Sequence, residues 1–220
     1  MLRSSMEILR VLREERVDLG LVADLCAVGI KRRATVTSRD STKWHVTSLL
    51  RAGRDIVRGN VSYSDGVSVP DNITAIMNMG RIWESSVDCY LSHYAARQGG
   101  LYTPDVESVQ EGIIASLDGV MWLPDLGWMV SETKLRFTLR EDISAEHLQQ
   151  VRAYCHCVGT NLVCFVSGHI ATAPPDVRML LRILRFPQQS VDDCWQGIVN
   201  TKNYLISRGI TPDGRTDGES

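Results

Sequence analysis

The 220-residue chain contains no apolar run near the roughly 18 residues that a membrane-spanning helix needs. Its first residues, MLRSSMEILRVLREER, are too charged for the apolar stretch of a secretory signal. A soluble, cytoplasmic chain with no membrane partner is the expectation. Excess positive charge is missing as well, since 24 Lys+Arg stand against 26 Asp+Glu, a formal net charge of −2. Bulk charge therefore does not hold this chain on a nucleic acid, and any polyanion must meet a local basic patch. No G-x-x-x-x-G-K-[ST] segment occurs, so a P-loop is excluded and no nucleotide cofactor is expected. What remains is a chain that is 44% hydrophobic and long enough for one compact domain with its own core.

The six cysteines, Cys26, Cys89, Cys155, Cys157, Cys164 and Cys194, are scattered through a chain that needs no staples, and free thiols are expected. Cys155-His156-Cys157 is a poor metal tract, because residues i and i+2 of a helix point about 200° apart. Leu2, Met6, Leu9, Val11 and Leu12 among Arg and Glu predict an amphipathic N-terminal helix within an extension over residues 1–40. A second helix is predicted to start after Ser41 and run through KWHVTSLLRAGRDIV. It carries Arg51, Arg54 and Arg58 on one face, either a phosphate-facing stripe or a solvated surface. Residues 59–70 read as a loop.

A long helix capped by Asp71 or Asn72 follows, with an apolar stripe at Ile73, Ile76, Met77, Gly80, Val87 and Leu91. Glu84 falls in the middle of that stripe. A carboxylate buried without a partner costs several kcal/mol, so either the helix rotates or Glu84 meets a cation, a metal-bound water or a donor.

The stretch from Glu111 to Phe137 reads as a β-hairpin around Leu123-Pro124-Asp125-Leu126-Gly127. Ser116, Asp118, Glu132, Lys134 and Arg136 share even positions, against apolar odd ones. With the turn centred on Asp125, Asp118 faces Glu132 and Ser116 faces Lys134, and opposed side chains have Cβ atoms about 4.5–5.5 Å apart. Two carboxylates so close repel unless a cation separates them. Oxygen ligands without histidine favour Mg²⁺ or Mn²⁺ held by Asp118 and Glu132, with the Lys134 ammonium alongside. A surface charge ladder in which Lys134 satisfies both acids is the alternative, and a bulge would void the register.

Downstream, Ser144 is positioned to cap a helix through AEHLQQVRAYCHCVG, in which Gln150 and Tyr154 lie one turn apart. NLVCFVSGHI reads as a buried strand, VRMLLRILRF as a strand or a helix, and Val191 to Ser207 as a final helix, followed by a disordered tail over 211–220.

Gly80-x-x-x-Glu84 on a helix, Asp118 on a strand, Glu132-Thr133-Lys134 on its partner and Gln150-x-x-x-Tyr154 on the next helix resemble, in order and spacing, the PD-(D/E)XK nuclease superfamily. The RecB-like branch, which includes phage exonucleases and CRISPR-associated nucleases, adds the last motif. The resemblance implies an α/β, restriction-endonuclease-like core over residues 41–210, with a central mixed sheet flanked by helices. It further implies Asp118, Glu132 and the Thr133 carbonyl as metal ligands, with Glu84 direct or through water. Lys134 would orient or help deprotonate the attacking water, and Gln150 and Tyr154 would position the strand being cut.

The implied activity is Mg²⁺- or Mn²⁺-dependent hydrolysis of DNA, as an exonuclease in phage or mobile-element recombination or end processing within a bacterial host cell. DNA is the implied partner, and a recombination or annealing protein is admitted as a further one. A catalytically silent DNA-binding or assembly module that retains the fold is the other reading. The sequence departs from the pattern in lacking a proline before Asp118. It also lacks the three C-terminal cysteines of iron–sulfur members, having Cys26 upstream but only Cys194 after the last strand, so no cluster is expected.

Overall fold

The computed structural model describes residues 7–16, 42–63, 71–136, 142–172 and 175–212. In chain order the elements are β1 (Glu7–Arg16), β2 (Trp44–His45), α1 (Val46–Val57), α2 (Asp71–Arg97), β3 (Leu101–Gln110), β4 (Ile113–Leu123), β5 (Gly127–Arg136), α3 (Ala145–Val158), β6 (Leu162–Thr172), β7 (Pro175–Arg185) and α4 (Gln188–Ser207). The strands make one seven-stranded sheet in the order β1-β7-β6-β5-β4-β2, with β3 on the other edge of β4. Pairing is parallel between β5 and β6 and between β2 and β4, and antiparallel elsewhere. The sheet is therefore mixed, and its helices make it the centre of a three-layer α/β arrangement.

Each face of the sheet has its own core. Leu49 and Ala52 of α1, Val151 and Cys155 of α3, and Val191 and Ile198 of α4 pack with Val130, Val163 and Phe165 on one face. Trp83, Val87, Leu91 and Ala95 of α2 pack with Met121, Met129, Cys164 and Val166 on the other. Alternate residues of β5 and β6 thus feed opposite cores, and strands covered on both faces read as nearly continuous apolar runs. The α3 boundaries follow local chemistry: Ser144 Oγ accepts the His147 N–H at 3.3 Å, and Gly159 ends the helix at φ 73°.

Two expectations are corrected. The amphipathic helix expected at the N-terminus is, over residues 7–16, a strand antiparallel to β7, with register shifts between Ile8 and Arg10 and between Leu12 and Glu15. EILRVLREER suits either period, and the open edge of β7 offers a ladder with which seven of its residues pair. The second helix starts at Val46 rather than after Ser41, because Trp44 and His45 pair in parallel with Ile113 and Ile114. Residues 17–41 and 213–220, with most of the expected extension and tail, lie outside the described residues, as do residues 64–70 of the expected loop.

One strand has no counterpart in the sequence reading. β3 carries Pro104 in mid-run, which argues against a central strand but is tolerated here at an edge, where alternate residues face solvent. VRMLLRILRF resolves as strand β7.

Candidate active site

The antiparallel ladder of β4 and β5 has the register that a turn centred on Asp125 predicts, with Leu123 opposite Gly127 and Gly119 opposite Ser131. There it stops, and the expected Asp118–Glu132 and Ser116–Lys134 pairs are absent from it. β5 turns its edge to β6 through Arg136. Since β3 occupies the far edge of β4 along most of its length, β2 must share the near edge with β5, pairing only at Ile113 and Ile114. Residues 115–118 are left facing a gap in the sheet. Alternation breaks at the same place, for Leu117 packs into the α1/α3/α4 core whereas Met121 packs into the α2 core. Opposite Asp118 the β3 ladder also skips a pair, at Asp105 with φ 51°. The odd positions of β4 thus do not share one face, and the irregularity re-aims Asp118.

Asp118 Oδ2 accepts the main-chain N–H of Thr133 at 2.7 Å, tying the parted strands together. An extended residue directs its N–H and C=O to the same strand edge, so the Thr133 carbonyl opens on the gap as well. Beside it Glu132 is fully buried, and its Oε1 forms an ion pair with the Lys134 ammonium. Its Oε2 has no hydrogen-bond partner among the described residues. Burial first, and then Asp118 and Glu84, raise the Glu132 acid to about 8 against the lowering pull of Lys134. Burial alone would lower the Lys134 ammonium, but Glu132 and Asp118 hold it above its ordinary value and therefore charged. A surface charge ladder is excluded, because one member lies in the interior.

Glu84 is half-buried. The described buried stripe of α2 is Trp83, Val87, Leu91 and Ala95, which keeps Val87 and Leu91 of the expected face and adds Trp83 and Ala95. Glu84 lies at the edge of that stripe and still acts electrostatically on Glu132. Close approaches fix the neighbouring elements. Tyr102 crosses Gly119, where a Cβ would stand 2.5 Å from its Oη, and donates to Asp88 Oδ1 of α2 at 2.7 Å. Trp83 lies on Gly168 of β6, where a Cβ would overlap the indole.

From the other face, α3 supplies Gln150 and Tyr154. Gln150 Nε2 donates to Tyr154 Oη at 3.0 Å, and Tyr154 is buried in the core. Burial and then the Glu132 carboxylate raise its phenol, so that it stays protonated beside the acids. Tyr154 thus offers no open surface to a strand of DNA, whereas Gln150 is half-exposed. The arginine stripe lies elsewhere. Arg54 pairs with Glu146 at 2.8 Å, and Arg54 and Arg58 line a cavity of about 600 Å³ between α1, α3 and α4 that Glu84, Asp118 and Glu132 do not border. Arg51 is exposed.

Sequence reasoning missed Tyr102, His147 and Ser167. His147 is kept neutral, its imidazolium lowered to about 4 by burial and by Lys134 and Arg136. Ser167 stands beside Lys134 in the parallel register. The signal for Tyr102 lay in the glycine after Asp118, and the other two gave none.

No group of three or more His, Cys, Asp or Glu side chains among the described residues is gathered to hold a metal ion. The donor set of the gap is instead two carboxylates and a main-chain carbonyl. That is the set a small hard cation uses when water and substrate oxygens complete its octahedron. The unpartnered Glu132 Oε2 and the mutual repulsion of the acids fit such an ion. Cys89, Cys155, Cys157, Cys164 and Cys194 are free.

No protein-family model matches the chain, and no curated protein matches it in sequence. Similar solved structures include LHK-Exo in complex with dAMP, with 13% identity and a TM-score of 0.48 over 76% of this chain and 89% of that one. The alkaline exonuclease LHK-Exo from Laribacter hongkongensis gives 12% and 0.45 over 84% and 93%. The protein SSO0001 gives 11% and 0.45 over 84% and 86%.

Proposed function

We propose that this chain is a Mg²⁺- or Mn²⁺-dependent nuclease of the PD-(D/E)XK kind that hydrolyses phosphodiester bonds of DNA, working as an exonuclease in the end processing of phage or mobile-element DNA. The observation that carries this reading is Glu132: a fully buried carboxylate with an unpartnered oxygen, beside Asp118 and within the field of Glu84. The Lys134 ammonium rests on Oε1 and leaves Oε2 and the neighbouring acids uncompensated, and buried carboxylates are kept with their charge balanced. Asp118, Glu132 and the Thr133 carbonyl would hold the cation, with Glu84 reaching it directly or through water. When bound, the ion polarises the phosphoryl oxygen and lowers the pKa of water.

The chain's own residues do the rest. Water attacks phosphorus as the ester oxygen leaves with the bonding pair; one proton is lost from the water and one is gained by the leaving oxygen. Lys134, held charged by its acids, donates hydrogen bonds to the attacking water or to a non-bridging oxygen, stabilising the negative charge that builds there. It is not the base in that state. Tyr154 positions the Gln150 amide, which faces the strand being cut. Arg54 is engaged by Glu146, and Arg51 and Arg58 would meet phosphates along the duplex.

The Lys134–Glu132 ion pair favours a second reading, a silent DNA-binding or assembly module in which lysine replaces the metal. Labelled linear, nicked and closed circular DNA incubated with Mg²⁺, Mn²⁺ or EDTA separates the two. The nuclease degrades linear DNA only with metal, leaves closed circles intact, and loses activity as Asp118→Ala or Lys134→Ala. Metal-independent or undiminished cutting by those variants, or no cutting at all, overturns it.

A further inference from the structure

We propose that Ser167 and His147 are positioning residues that take over the Lys134 ammonium when Glu132 gives its oxygens to a divalent cation. This rests on the metal reading above.

Lys134 and Ser167 are direct partners in the parallel β5–β6 register, one step beyond Glu132 and Phe165 by the side-chain period of two. Phe165 belongs to the α3-side core, so all four side chains share that face. Ser167 is fully buried, and its hydroxyl has no hydrogen-bond partner among the described residues. His147 reaches the same place from the first turn of α3, its ring 6.4 Å from that of Phe165, and its Nδ1 is likewise buried without a partner. Two buried, unpartnered polar atoms thus lie on the face that carries Lys134, one in register with it and one within its electrostatic reach.

Chemistry links them. An ammonium has three protons to donate, while a hydroxyl and a neutral imidazole nitrogen accept. Lys134 now rests on Glu132 Oε1. A carboxylate that binds a dication cannot hold the ammonium equally well, because the two cations repel. The ammonium then needs acceptors that carry no negative charge for the metal to compete for. Ser167 Oγ and His147 Nδ1 are such acceptors, and burial together with Lys134 and Arg136 keeps His147 neutral. Held there, Lys134 remains ordered next to the phosphate.

The test uses the intact chain with Mn²⁺ alone and acetic anhydride as the lysine probe, acetylation of Lys134 being read by mass spectrometry. In EDTA the wild type, Ser167→Ala, His147→Leu and the double variant are expected to be equally protected by the Glu132 pair. With Mn²⁺ the wild type stays protected, whereas the double variant is labelled several-fold faster at unchanged Mn²⁺ affinity. Ser167→Ala, which removes one oxygen, shows a smaller rise and serves alone should the leucine variant not fold. His147→Asn, whose amide overlays Nδ1, restores protection. On linear DNA the variants lose kcat with KM unchanged. Equal labelling of wild type and variants with Mn²⁺ bound overturns this inference alone; a wild type that binds no Mn²⁺ overturns the metal reading with it.

Discussion

Thr133 donates its main-chain N–H to Asp118 Oδ2 at 2.7 Å across the point where β4 and β5 part. That single bond replaces the ladder that ends at Gly119 and Ser131. It leaves the other Asp118 oxygen outside that bond and within the electrostatic reach of the buried Glu132 carboxylate. Asp118→Asn therefore breaks more than a charge, since an amide turned to serve Thr133 cannot also serve a cation. We expect Asp118→Asn to fold with a midpoint near that of the wild type and to lose Mn²⁺ binding, as a thermal melt with and without the ion will show.

Lys134 pairs with Glu132 and stays protonated. Lys134→Ala is expected to lower kcat by about 10²–10⁴, the range for a positioned proton-bearing group, with a smaller change in KM. It also leaves Glu132 buried without its ammonium, so the metal-free variant should melt lower than the wild type and recover more on addition of Mn²⁺. Melting curves in EDTA and Mn²⁺ check the second point independently of activity.

Glu132 carries a pH signature whose sign follows from its raised acid constant. The unfolded chain releases this proton near 4.5, whereas the folded, metal-free chain keeps it to about 8. Its contribution to stability is therefore complete below pH 4.5 and is lost as pH rises through about 8. In EDTA the wild-type midpoint should fall over that window more steeply than that of Glu132→Gln. Mn²⁺ should stabilise the wild type most at the alkaline end. A calorimetric pH series measures both.

Gly119 is fixed by the Tyr102 ring that crosses it. In Gly119→Ala the new Cβ must displace a side chain that donates to Asp88, at a cost of about 1–3 kcal/mol typical of overpacking. Urea unfolding of Gly119→Ala and of Gly119→Ala/Tyr102→Phe measures it, and the double variant is expected not to recover, because Phe keeps the ring that collides.

The hairpin was legible because Pro124, Asp125 and Gly127 fix the turn, and with it the register as far as Gly119 and Ser131. What the period of two hides is its own interruption. Nothing in Leu117-Asp118-Gly119 announces that the strands part, that Asp118 turns to a main-chain N–H, or that Lys134 settles on Glu132 alone. Ser144 and Gly159 mark the ends of α3 by local chemistry. β1 and β3 escape local reading because both owe their conformation to distant edges, of β7 and β4, which outweigh the ambiguous period of one and the proline of the other. Ser167 and His147 are ordinary residues in sequence and gain meaning only from the strand and helix that bring them to Lys134.

If Asp118 and Glu132 hold a divalent cation between β4 and β5, its binding depends on the Glu132 carboxylate. Isothermal titration of Mn²⁺ into the wild type and into Glu132→Gln, in two buffers of different ionisation enthalpy near pH 7, tests it most directly. The wild type is expected to bind saturably with release of the Glu132 proton, and the variant to lose both binding and proton release. Absence of binding by the wild type, or equal binding by Glu132→Gln, would contradict it.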